Sequence, residues 1–139
     1  MSTRRSLAEP AAEWVEWWDA TRQRRLLLQR CRACGRLQHY PRSLCLACGS
    51  DDLDWAEASG FGSVYSYTTV HRSPSTVPAV PYVVALVRLA EGPVLLTNIV
   101  GCDPAELRCD LLVVLEWEET ADGRNLPLFR PVPGHAAPD

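Results

Sequence analysis

The sequence predicts a mainly β chain: an N-terminal helix, then a zinc ribbon, then a five-stranded barrel of the OB-fold kind. Three features point there. A tryptophan-rich stretch follows Pro10, two C-x2-C units lie ten residues apart, and alternating strand-like segments fill the second half. The implied division is arm, helix and short strand over 1–30, ribbon over 31–50, barrel over 51–132 and a loose tail over 133–139.

Proline is tolerated in the first turn of a helix, so Pro10 is read as opening the helical stretch AAEWVEWWDATRQ. Trp14, Trp17, Trp18 and Thr21 share one side at helical spacing, with Glu13, Glu16 and Arg22 over much of the rest. Three tryptophans on one short helix either cover the barrel or dock a partner protein, since tryptophan is an enriched interface anchor. Both readings stand on the residues alone. RRLLLQRC is a short strand leading into the first cysteines.

The segment LDWAEASGFGSVYSYTTVHR alternates and is rich in Val, Thr and Tyr, which marks strand. Gly60 and Gly62 within it allow a bulge or sharp bend. SPSTVPAVP, with three prolines, is a loop. PYVVALVRLA and VLLTNIVG form a hairpin around Glu91-Gly92-Pro93, and LLVVLEWEE and NLPLFRPV flank a turn at Asp122-Gly123. Five or so short strands fit a small barrel.

Cys31, Cys34, Cys45 and Cys48 spell C-x2-C-x10-C-x2-C. Two intervening residues let one tight knuckle present both sulfurs to a single ion. Gly35 and Gly49 follow the pairs where the backbone must turn sharply. Four thiolates close a tetrahedron and leave no open position, so the zinc is structural and activates no water. It folds a segment too short for its own core. Iron takes the same ligands, which keeps a rubredoxin-like electron carrier as an alternative; a red protein would mark iron and a colourless one zinc. Cys102 and Cys109 lack a second pair and read as small semi-buried side chains.

With 47% hydrophobic and 22% charged residues the chain builds a core and is not wholesale disordered. No apolar run approaches the ~20 residues that span a bilayer, and no apolar stretch follows Arg4 and Arg5 as in a signal peptide. The expectation is a cytoplasmic protein, where cysteines serve metals more than disulfides. Charge is uneven. Residues 1–50 carry nine arginines and four acids, a net +5, whereas residues 51–139 net −8. An acidic barrel opposes a polyanion, so single-stranded nucleic-acid binding, which OB-folds also perform, ranks second.

No catalytic residue is assigned. His39, His71 and His135 lie in no nucleophile or metalloprotease signature, and Glu116, Glu118 and Glu119 mark a solvated strand face. There is no lysine, hence no Schiff base, and no phosphate loop or dinucleotide fingerprint. The chain reads as a binding module.

The order of these features resembles the DUF35 family. The resemblance covers roughly residues 12–132 and rests on LLLQRCRACGRLQHYPRSLCLACGS, Tyr40-Pro41-Arg42, Pro81-Tyr82, Glu91-Gly92-Pro93 and Phe129-Arg130-Pro131. Leu46 departs from a frequent proline, and Cys109-Asp110-Leu111 replaces a Gly-Met-Pro-like turn. The resemblance implies a rubredoxin-like zinc ribbon joined to an OB-fold that associates with acyl-CoA. It further implies a non-catalytic subunit that stabilises a larger enzyme and helps form its acyl-CoA site. That partner would be a thiolase-like or lipid-transfer-protein-like subunit, such as a thiolase or steroid side-chain aldolase, in an α2β2 heterotetramer, or a MaoC-like hydratase. Arg32, Arg36, Arg42 and Arg72 are the candidates for the phosphates of coenzyme A, since guanidinium binds phosphate in a bidentate manner.

Overall fold

The computed structural model describes residues 4–133. Most of the tail assigned to 133–139, His135 included, lies outside the described residues.

The helical stretch forms, but in two parts. A tight 3-10 turn, Ala12–Trp14, runs into helix α1, Val15–Arg22. α1 buries Trp17, Ala20 and Thr21, which fall at i, i+3 and i+4 and so share one face. Side-chain bonds fasten it to both later units. The Trp55 indole donates to Glu16 Oε2 at 2.8 Å, and Asn125 Nδ2 donates to the Thr21 carbonyl at 2.8 Å.

Three strands make the ribbon sheet: β1 (Leu27–Cys31), β2 (Leu37–Gln38) and β3 (Leu53–Glu57), in the order β2-β1-β3 with antiparallel pairing. This sheet runs past 31–50 on both sides. LDWAE pairs with LLQRC from Leu27↔Glu57 to Cys31↔Leu53, so it closes the ribbon and does not open the barrel. The chain changes units between Ala58 and Gly60, with Gly60 at φ +92°.

The barrel comprises β4 (Phe61–Val70), β5 (Tyr82–Leu89), β6 (Val94–Ile99), β7 (Leu112–Glu119) and β8 (Asn125–Pro131), closed in the order β4-β5-β6-β8-β7. All pairings are antiparallel except β6 with β8. Strict alternation on β5 sends Val83, Ala85, Val87 and Leu89 inward. They meet Val64, Val113 and Phe129, each fully buried. Of the bulge or sharp bend expected at the glycines, the bend is at Gly60, while the register shift falls between Val64 and Ser66. Gly62 serves strand contact instead. A Cβ there would lie 2.7 Å from the Arg88 carbonyl oxygen, so only glycine admits this close approach of β4 to β5. Among the described residues no helix is long and apolar enough to cross a membrane.

Candidate functional site

The two knuckles are built alike. The Gly35 amide donates to the Cys31 carbonyl at 2.8 Å and the Cys31 amide to the Arg36 carbonyl at 2.9 Å. The Gly49 amide donates to the Cys45 carbonyl at 2.9 Å and the Cys45 amide to the Ser50 carbonyl at 2.8 Å. Each turn closes on a glycine in the left-handed region, Gly35 at φ +79° and Gly49 at φ +77°. The turns bring together the four sulfurs that the spacing predicted. Cys31–Cys48 and Cys34–Cys45 are each 3.6 Å apart, and all four lie within 4.8 Å of one another.

Thiolates at ~2.3 Å around a tetrahedral ion stand about 3.8 Å apart, close to the two 3.6 Å pairs, so this quartet suits a zinc ion. Amides of Cys48 and Ala47 point at the Cys45 sulfur and hold its thiol down to about 6. The Ser50 amide favours the Cys48 thiolate in the same way, but its sulfur neighbours, Cys31 first, push it up to about 12. Four anions this close repel, and a divalent cation is what lets all four ionise. The four cysteines form a structural zinc site. They take every position on the ion, so the metal fixes the ribbon and performs no chemistry.

Between the knuckles, the chain from Tyr40 to Leu46 is pinned by two buried glutamines that the sequence did not mark. Gln29 on β1 lies opposite Gln38 on β2, and Gln38 Nε2 donates to Gln29 Oε1 at 2.6 Å. Gln29 bonds both the amide and the carbonyl of Arg42, each at 2.8 Å. Gln38 accepts from the Leu46 amide at 3.0 Å and donates to the Leu44 carbonyl at 3.2 Å. The only sequence signal was a polar residue at an inward position of the run LLLQRC.

The four candidate arginines are all exposed but do not share one place. Arg36 and Arg42 sit on the ribbon, and Arg72 follows β4 on the barrel. Arg32 is already engaged, with Nε 3.2 Å from Asp54 and Nη1 3.9 Å from Asp52. The tryptophans also divide. Trp17 is 3% exposed and donates its indole N–H to the Leu27 carbonyl at 3.0 Å, so it belongs to the interior. Trp14 and Trp18 are half-buried and face a cavity.

That cavity, about 430 Å³, lies where helix, ribbon and barrel meet. Trp14 and Trp18 supply one wall, His39 and Tyr40 a second, and Leu96 and Leu128 a third. His39 stacks edge-on against Trp14 with 5.6 Å between centroids. Its burial pushes the imidazole down to about 4, which leaves it neutral at pH 7. By sequence His39 is only one more residue of the ribbon loop. Nothing in its local sequence shows that α1 and β6 close over it.

Comparison with known proteins agrees with this architecture. A family model described as the ChsH2 rubredoxin-like zinc ribbon domain matches residues 18–54, and one for the ChsH2 C-terminal OB-fold domain matches residues 55–118. A solved chain titled Ltp2-ChsH2(DUF35) aldolase superposes with a TM-score of 0.85 at 45% identity, covering 90% of this chain and 98% of that one. The chain belongs to the DUF35 family. The DUF35 chain is also 49% identical over 115 residues to a probable enoyl-CoA hydratase alpha subunit of Thermomonospora curvata, covering 83% of this chain and 36% of that subunit. It is 38% identical over 93 residues to the 3-oxo-4,17-pregnadiene-20-carboxyl-CoA hydratase alpha subunit of Mycobacterium tuberculosis, covering 66% of this chain and 29% of that one. It therefore spans about a third of the length of those two subunits.

Both departures of this DUF35 chain have structural meaning. Leu46 supplies the amide N–H that Gln38 accepts, a bond proline could not make. In the Cys109-Asp110-Leu111 turn, Asp110 takes φ +69° and its amide donates to the Val64 carbonyl at 2.8 Å. The turn thus keeps a left-handed position without glycine, and Leu111 enters the core.

Proposed function

We propose that this chain is the non-catalytic subunit of an acyl-CoA enzyme complex, and that its partner is a thiolase-like catalytic subunit that cleaves or forms a C–C bond. One observation carries the reading: 98% of the DUF35 chain of the Ltp2-ChsH2(DUF35) aldolase is matched by this one, at 45% identity. The names of the two hydratase alpha subunits support a CoA thioester as substrate, and one of them supports a steroid acyl group.

The physical role assigned to this chain is that of a rigid adaptor. Zinc and the glutamine pair hold the ribbon, and Glu16 and Thr21 of α1 bind ribbon sheet and barrel into one body. Such a body presents a fixed surface to a larger subunit and stabilises it. The exposed faces of Trp14 and Trp18 and the rim residues Tyr40 and Leu96 are the docking candidates. Arg36, Arg42 and Arg72 are assigned to the coenzyme A phosphates, with Arg32 available on release from Asp54.

Co-expression with a thiolase-like catalytic subunit tests the reading. The expected result is an α2β2 complex by light scattering, with acyl-CoA turnover that falls when this chain is removed. R36A, R42A and R72A variants should raise KM for the acyl-CoA and leave KM for the acyl-pantetheine unchanged. A partner that stays fully stable and active alone would overturn it.

A further inference from the structure

We infer that the cavity between helix, ribbon and barrel is a binding site for a neutral, largely apolar small molecule bearing one hydroxyl or carbonyl oxygen, which His39 hydrogen-bonds. The inference goes beyond the accessory-subunit reading and stands without it, because this chain alone supplies every wall.

Size comes first. A volume of about 430 Å³ falls inside the ~300–1,000 Å³ range of ligand pockets. The walls are tryptophan, leucine and proline side chains with few polar groups, the usual lining of a site that buries an apolar body. They come from helix, ribbon and barrel, which share one hydrophobic core beneath the cavity. It persists because the zinc ribbon fixes His39 and Tyr40 on one side while α1 is tied down on the other.

The polar groups then set the ligand's character. Asn98 is satisfied: its Nδ2 donates to the Val83 carbonyl at 2.7 Å and its Oδ1 accepts from Arg5 Nη1 at 2.7 Å. Thr97 donates to the Pro127 carbonyl at 2.7 Å. Arg5 also lies 3.0 Å from Glu118, so its charge is balanced. Arg5 Nε and His39 Nε2 are both buried without a hydrogen-bond partner, but Arg5 Nε has the Glu118 carboxylate beside it, whereas His39 Nε2 has no charged partner. Buried polar atoms are nearly always paired, and an unpaired one costs stability that a partner would restore. Nε2 as placed has no accessible surface, so binding requires the ring to turn about Cβ–Cγ, which exchanges Nε2 with Cε1 and Nδ1 with Cδ2 and would offer a nitrogen to a ligand oxygen. Burial also keeps the ring uncharged at neutral pH, so it selects a neutral oxygen over a carboxylate.

The zinc-loaded chain can be titrated with 2-naphthol and with naphthalene, each neutral at pH 7, while the indole N–H resonances of Trp14, Trp17 and Trp18 are followed by NMR. Both probes should shift these resonances, and 2-naphthol should bind roughly fivefold more tightly, the value of one hydrogen bond. The H39F variant keeps an aromatic ring and should remove that preference while still binding naphthalene. L96E, at the exposed rim, should weaken both probes and leave the fold intact. A preference that survives in H39F would overturn the role of His39. Indoles that respond to neither probe, and move only when a partner subunit is added, would overturn the site itself and make the cavity a seat for a protein side chain.

Discussion

Gln29 and Gln38 join their side chains across β1 and β2, and through them the strand pair holds the loop that carries Arg42. Both are buried, at 6% and 5% exposure, so their bonds replace water that cannot reach them. Truncating Gln38 to alanine leaves the Leu46 amide without its acceptor. The expected loss is about 2–3 kcal/mol, from bonds made and a buried donor orphaned. The Gln29→Ala, Gln38→Ala double variant should lose less than the sum, because the two act as one unit. Urea unfolding of the zinc-loaded variants measures both numbers; strictly additive losses would mean that the pair is not coupled.

Gly62 makes a sharper case. An added Cβ would meet the Arg88 carbonyl oxygen at 2.7 Å and Val87 Cγ1 at 2.8 Å. The oxygen belongs to the backbone of a paired strand, so it cannot swing aside. Gly62→Ala should therefore destabilise the barrel by about 1–3 kcal/mol, although alanine normally favours a strand over glycine. A thermal melt decides it, and an unchanged or raised Tm would refute the close approach.

What the sequence made legible was local. Two C-x2-C-G units ten residues apart state their own geometry, and Glu91-Gly92-Pro93 between two apolar runs states a hairpin. The allegiance of LDWAE was not local: it depends on pairing Trp55 with Gln29, 26 positions away by numbering, and strand composition is the same in either sheet. Nor was the bulge, because Gly60 and Gly62 have the composition of one while the strand pairing puts it at Val64 and Ser66. The site residues divide in the same way. The metal ligands sit within 18 positions of one another, whereas His39, Trp14 and Leu96 meet only after helix, ribbon and barrel have docked.

Asp122 gives the fold a dependence on pH. Hydrogen bonds from the Arg124 side chain, then its backbone amide, hold this carboxyl well below the usual carboxylate range. Arg124 is buried, 2.7 Å from Asp122, lies 5.1 Å from the Trp18 ring centroid, and donates to the Leu7 and Ala8 carbonyls. A folded value below the unfolded one of ~3.9 means the contribution is complete above about pH 4 and is lost as pH falls further. Asp122→Asn should thus be less stable than the parent at pH 6, with the difference shrinking below pH 4. Acid also releases zinc, but equally from both proteins, so the difference between their urea midpoints isolates Asp122. A gap that stays constant down to pH 2 would contradict the ion pair.

Removing the metal should separate the two units. The ribbon has three short strands, and its buried positions include Cys31 and Cys45 themselves, so apart from the Gln29–Gln38 bonds it is zinc that holds the knuckles. Structural zinc contributes about 10–16 kcal/mol in isolated peptides, far more than this sheet could otherwise muster. The barrel, in contrast, fills its interior from its own strands, with Val64, Val87, Val113 and Phe129 all at 0% exposure. Chelation, or Cys45→Ser, should therefore abolish amide protection over β1–β3 while β5 and β6 stay protected in hydrogen exchange. Parent protein should hold one zinc per chain by elemental analysis. Because His39 and Tyr40 ride on the ribbon, the same treatment should dissolve one wall of the cavity and expose Trp14, seen as a red shift in tryptophan emission. Loss of protection in β5 and β6 together with β1 would show instead that the barrel cannot stand without its ribbon.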